Sequence, residues 1–388
     1  MRGMIHFTTC DQKYLISILI FSVASILLLI VNTQVGIVSA TVSNTTQTGI
    51  PVYEITTRGN LSNAQGVNGT GYRDTYPLLD IRNLSNTCPE EVAIFIHGWG
   101  QNETGAKERL DRVKMSLEKN NYSHPLVGFS WDSDIEWKAA QFLAKWNGPK
   151  LADYIVGLMD NCKQHHDKDI KIRLIGHSMG ARIILSSLDS LHKNATWNNS
   201  NFKVASVDLL GAAVDNEEVT MNRGDILVDK TNWGSPKSDY GGAIQEEVVR
   251  FYNLYNPKDN VFELIYPLFE GDFALGQSGY QKLPYPITFP KNYEDINVTD
   301  QIKAIHDADG IEADVFGFCH NNNEYCKIKS EGWDFGFCNL LIFPPMCQPP
   351  GIGDNHAGYI GFRNLTNLDL LADDGAMDVV VSKWRING

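Results

Sequence analysis

The stretch KIRLIGHSMGARIIL, Lys171 to Leu185, changes its periodicity half-way along. Ahead of Gly176 the residues Ile172, Leu174 and Ile175 make a short apolar run, the pattern of a buried strand. Beyond Gly180 the apolar positions fall at Ile183, Ile184, Leu188 and Leu191, a spacing of three and four that belongs to one face of a helix. Ser178 therefore sits on a strand-to-helix turn. A turn that sharp holds its central residue in a strained backbone region, and side chains two positions to either side collide unless they are hydrogen atoms. Gly176 and Gly180 meet that need.

Working outward, the same alternation continues. Strands are predicted at Val92 to Ile96, Leu126 to Phe129, Ile172 to Ile175, Val204 to Leu210, Val248 to Tyr255 and, last, Asp295 to Thr299. Amphipathic stretches at Ala106–Lys119, Ala139–Met159 and Ala181–His192 lie between them. Apolar strands alternating with helices imply an α/β fold, a mostly parallel twisted sheet with helices on both faces. In such sheets the ligand crevice lies beyond the carboxyl ends of the strands. Three loaded turns occupy that position: His97-Gly98-Trp99-Gly100, the Ser178 turn, and Asn256-Pro257-Lys258-Asp259.

These turns carry a resemblance. GHSMG fits G-x-S-x-G, the nucleophile elbow, and together with FIHGWG it resembles the lipase and esterase branch of the α/β-hydrolase superfamily. The resemblance covers roughly residues 80 to 388 in ordering and is specific only at the turns. It implies a serine nucleophile at Ser178, followed in the chain by an acid and then a histidine. Asp259 is the preferred acid, in NLYNPKDN; Asp215, in LLGAAVDN after the preceding strand, is the reserve. His356, in GDNHAGYIGF, is the preferred base, late in the chain and among glycines. His306 and His320 stand in polar, surface-like stretches, and His177 is expected to point away from the serine. The oxyanion donors implied are the amide of Met179 and that of Trp99 or Gly100, with Trp99 also walling an acyl pocket.

The activity implied is hydrolysis of a small-molecule or lipid carboxylic ester through an acyl-enzyme, with no organic cofactor. A thioesterase, peptidase or acyltransferase would use the same residues. The rival from a different class is a surface adhesion or binding module on a hydrolase scaffold that no longer catalyses.

Composition bounds the context. A formal charge of −13 over 388 residues argues against nucleic acid or an anionic membrane surface as the main partner. Arg2 and Lys13 precede an uncharged apolar run from Tyr14 to Val31, followed by Val38-Ser39-Ala40, so residues 1–40 read as a cleaved signal peptide or an uncleaved anchor. Either places the remainder outside the cytoplasm. Ten N-x-[ST] sequons, at Asn44, Asn60, Asn68, Asn83, Asn102, Asn121, Asn194, Asn198, Asn297 and Asn364, agree with export; roughly three are expected by chance.

Residues 41–75, rich in Thr, Asn and Gly, read as a stalk, and 76–388 as the hydrolase domain with an insertion at about 262–350 that serves as a lid. Past Cys10 the cysteines are an even six, Cys88, Cys162, Cys319, Cys326, Cys338 and Cys347, which suits disulfides better than zinc. The family's sheet order makes the strands beside Cys88 and Cys162 neighbours, implying a Cys88–Cys162 bridge. In HDADGIEAD, Asp307, Asp309, Glu312 and Asp314 are a weak candidate for a structural calcium loop, short of the EF-hand spacing.

Overall fold

A computed structural model describes residues 49–59, 73–74, 81–221, 239–279, 288–302, 354–363, 367 and 369–386. The apolar run at Tyr14–Val31, the calcium candidates, His306, His320 and the four distal cysteines lie outside them. Among the described residues no helix is long and apolar enough to cross a membrane.

The sheet has eight strands: β1 Val52–Thr56, β2 Arg73–Asp74, β3 Glu91–Ile96, β4 Leu126–Ser130, β5 Lys171–His177, β6 Val204–Leu210, β7 Val248–Tyr255 and β8 Tyr293–Asn297. Their order is β2-β1-β4-β3-β5-β6-β7-β8, and every pairing is parallel except that of the two-residue edge strand β2 with β1. The chain leaves β3 toward β4 and then crosses to β5 on the other side, so β3 and β5 flank the reversal of strand order where α/β sheets bind ligands.

Two cores follow from the two-residue alternation of the strands. Val92, Ile94 and Ile96 of β3 join Ile172, Leu174, Val207 and Leu209 on one face; Ala93 and Phe95 join Ile175, Leu210, Tyr252 and Leu254 on the other. The first face is covered by helices α2, Trp137–His166, and α3, Gly180–His192; the second by α1, Glu103–Lys119, and α4, Met377–Ile386. Asn102 caps α1, its side chain accepting the Gly105 amide at 2.9 Å.

α2 runs through Pro149, which removes one amide and frees the carbonyl four residues earlier, that of Lys145. Ser186 Oγ of α3 donates to that carbonyl at 2.8 Å. Gly148 permits the contact, since a Cβ there would lie 2.3 Å from Ser186 Oγ.

The sequence-based boundaries need two corrections. Residues 52–56, which the composition places in a stalk, form β1, buried along its whole length and paired with β4, Val52 opposite Leu126. The sheet therefore includes a strand from within residues 41–75. The last strand lies two residues earlier than expected, because Tyr293 stacks on Phe251 of β7 at 5.5 Å and fixes the register there. β8 also makes that part of the expected insertion integral to the sheet. The Cys88–Cys162 disulfide is present, closing a separation of 74 residues beside the amino ends of β3 and β5.

Candidate active site

The turn after β5 has the geometry its glycines require. Ser178 has φ +54°, a left-handed conformation costly for any residue but glycine. A Cβ on Gly180 would lie 2.3 Å from the carbonyl oxygen of Ile96, and one on Gly176 would lie 2.7 Å from Ile184 Cδ1. Two backbone bonds pin the turn: the Ser178 amide donates to Leu210 O at 3.0 Å, and the Ala213 amide donates to Ser178 O at 3.1 Å. Met179 caps α3, so its amide belongs to the helix end that has no intrahelical acceptor.

The turn after β3 lies directly against this serine. A Cβ on Gly98 would stand 2.7 Å from Ser178 Cβ, so only glycine allows the approach. His97 anchors the turn rather than facing the serine. Its Nδ1–H donates to Gly98 O at 2.9 Å, and its Nε2 accepts from the Trp131 amide and Arg58 Nη2, both at 3.2 Å. Burial and then the Arg58 guanidinium push its pKa down to about 3, so the ring is neutral. Arg58, just beyond β1, also donates to Ser130 Oγ at 2.7 Å and Gln101 O at 3.0 Å. The Gly100 amide donates to Ser133 O at 2.9 Å, which leaves Trp99 as the amide of this turn to consider for an oxyanion. The Trp99 indole packs edge-on to Trp137 and donates to Ile135 O at 2.7 Å.

Asp259 and His356 meet across 97 residues of chain. Asp259 is fully buried; its Oδ1 accepts from the amides of Val261 (3.0 Å) and Phe262 (3.3 Å), and its Oδ2 lies 2.7 Å from His356 Nδ1. That contact places the imidazole proton on Nδ1 and leaves Nε2 as the acceptor. Phe262 packs edge-on against the same ring at 4.8 Å.

Asp215 does not take this place. It accepts from Tyr266 Oη at 2.8 Å in a separate network, where Arg182 Nη2 donates to the Tyr266 oxygen at 3.1 Å and Arg182 Nη1 lies 3.7 Å from Glu218.

Three positioning residues escaped the sequence reading. His177, expected only to point away from the serine, donates its Nε2–H to the His356 carbonyl at 2.9 Å, and its ring lies 4.9 Å from that of His356. Burial, then the neighbouring His356, holds its pKa well below the usual histidine range. Asn355 bridges to the Asp259 turn: its Oδ1 accepts the Asn260 amide at 3.2 Å and its Nδ2 donates to Lys258 O. Arg112 of α1 clamps the far side, donating to Ala357 O and Gly361 O at 2.9 Å. Asn355 had a signal in its adjacency to His356; Arg112 had none, since its partners are carbonyls some 250 positions away.

A seven-strand parallel array with an elbow after β5 and an acid turn after β7 defines the α/β-hydrolase class. A family model described as "Alpha/beta hydrolase of unknown function (DUF900)" matches residues 80–306, more than half of the chain, and the chain belongs to that family. No curated protein matches the sequence. Among solved structures, one described as the "putative cell surface hydrolase" of Lactobacillus plantarum is similar at 11% identity, covering 54% of this chain and 82% of its own, with a TM-score of 0.29. Phospholipase PlaB from Legionella pneumophila is similar at 16% identity over 33% of this chain and 26% of its own, with a TM-score of 0.22.

Proposed function

We propose that this hydrolase cleaves carboxylic esters through a serine acyl-enzyme. The observation that carries the reading is the buried 2.7 Å contact between His356 Nδ1 and Asp259 Oδ2, at the same sheet edge as a serine on a left-handed turn. A serine hydroxyl is a poor nucleophile at neutral pH and needs a base held in the correct tautomer. His356 Nε2 takes the Ser178 proton as Oγ attacks the ester carbonyl. The Met179 and Trp99 amides stabilise the resulting oxyanion, and His356 then delivers the proton to the leaving alkoxide. Water, activated by the same ring, releases the acid and restores the serine.

The reading extends to location. The Cys88–Cys162 disulfide suits an oxidising compartment outside the cytoplasm, and Asn102, Asn121, Asn198 and Asn297 of the sequons are exposed. The apolar run at Tyr14–Val31 would tether the enzyme to a membrane if uncleaved.

The test is labelling with a fluorophosphonate probe, comparing the wild-type protein with Ser178→Ala and His356→Ala, followed by hydrolysis of p-nitrophenyl esters of increasing chain length. Labelling that disappears in both variants supports an activated serine. A well-folded wild-type protein that neither labels nor hydrolyses any ester of the series overturns the reading in favour of a non-catalytic adhesion module.

A further inference from the structure

A cleft opens at the edge of the sheet opposite Ser178, beside the amino ends of β5, β6 and β7. It has a volume of about 210 Å³ and is lined by five cationic side chains, Lys171, Arg173, Lys203, Arg250 and Lys383; no carboxylate is among the described residues that line it. In a chain with a formal charge of −13 this is a local reversal of sign.

Its geometry comes from strand register. Arg173 of β5 pairs with Ser206 of β6, and Ser206 pairs with Arg250 of β7, so the three share one row on one face. Neighbouring strands lie about 4.8 Å apart, which puts the two arginine positions about 10 Å from each other with a small side chain between them. That spacing leaves room for one tetrahedral oxyanion between two guanidinium forks.

Arg173 is fixed in advance. It is 5% exposed, its Nε lies 2.7 Å from Glu91, and its guanidinium sits 4.9 Å from the Trp384 ring centroid of α4. Preorganisation of this kind lowers the entropy cost of binding. The charge is compensated only in part. Glu91 takes Arg173, Glu294 takes Lys383 at 2.6 Å and Glu247 takes Lys203 at 3.8 Å. Among the described residues the side chains of Lys171 and Arg250 have no hydrogen bond or ion pair, and both are exposed. The Ser206 hydroxyl commits its proton to Asp208 Oδ2 at 2.9 Å and its oxygen accepts from Arg173 Nη1 at 3.5 Å, so the donors left to a ligand are those of the cations.

We propose that this cleft binds a phosphate-type oxyanion, held between Arg173 and Arg250 with Lys171 at its rim. The anion comes free, on a small phosphorylated molecule, or on a lipid headgroup at the protein's surface. The site is independent of the ester chemistry at the other sheet edge.

The experiment is isothermal titration of the full-length protein with inorganic phosphate and with glycerol 3-phosphate, alongside flotation with phosphatidylcholine vesicles containing phosphatidic acid. Arg250→Ala and Lys171→Ala, exposed positions outside both cores, are run in parallel, with circular dichroism to establish folding. Binding that weakens at least about tenfold in both variants is expected, since one charge-assisted contact contributes roughly 1.5–3 kcal/mol. Saturation by the soluble phosphates identifies a free ligand, and saturation by vesicles alone identifies a headgroup. Absence of binding in all three arms up to about 10 mM phosphate, or equal binding by folded Arg250→Ala, overturns the proposal. Fluorophosphonate labelling in both variants should match the wild type, which keeps failure here distinct from failure of the hydrolase reading.

Discussion

At the scale of single residues, the proposed site depends on close approach and on tautomer. Gly98→Ala inserts a methyl group 2.7 Å from Ser178 Cβ, so one of the two turns must move. Overpacking of this sort costs about 1–3 kcal/mol of stability, whereas displacement of a nucleophile by about 1 Å costs on the order of 100-fold in rate. The expected result is a folded variant whose fluorophosphonate labelling is slowed by about that factor. Asp259→Asn keeps the buried volume but offers His356 Nδ1 no carboxylate. With the wrong tautomer favoured, ester turnover should fall by about 10⁴ while thermal unfolding shifts little. Ser178 and its flanking glycines were legible in the sequence because their constraint is local. His177 was not: the bond from its Nε2 to the His356 carbonyl exists only once β5 and the late chain segment are brought together.

At the scale of elements, the central strands were legible and the first was not, for one physical reason. β3, β5 and β6 are covered on both faces, and each carries enough clustered apolar residues to read as a buried strand, unbroken from Val92 to Ile96 in β3 and interrupted by Arg173 in β5 and by Ser206 and Asp208 in β6. β1 reads VYEIT, with Glu54 buried and its carboxyl pKa raised by that burial, inside a segment whose composition is that of a linker. Its partner β4 is some 70 residues away, beyond the reach of local pattern. Its value to the site lies in Arg58 just beyond it, which joins β1, Ser130 and the His97 turn. The junction of α2 and α3 gives a separate expectation. Ser186→Ala removes the donor to the Lys145 carbonyl beside Pro149, and should lower stability by about 1 kcal/mol in urea unfolding without altering ester hydrolysis.

At the scale of the whole molecule, buried titratable groups set opposing pH dependences. Asp208 of β6 accepts from Trp384 Nε1 of α4 at 2.8 Å and from Ser206; burial first, against these hydrogen bonds, pushes its pKa from 3.8 up to about 7. The folded state then holds this proton more tightly than the unfolded chain, so Asp208 contributes stability that falls as pH rises from about 4 to about 7. His97 and His177 act in the other direction. Both are held neutral when folded, so the unfolded chain binds more protons below 6.5 and their contribution falls as pH drops below that value. The two histidines lie at the serine-bearing edge of the sheet, whereas Asp208 lies under α4, so acid and alkali should weaken different regions. Urea unfolding of wild type and Asp208→Asn between pH 4 and 8 separates the contributions. The variant, with its neutral amide still able to accept from Trp384, should lose the part of the profile that declines toward pH 7 and retain the acid-side loss. Parallel profiles for the two proteins would mean that Asp208 is ionised in the folded state throughout, with the Arg173 charge offsetting its burial.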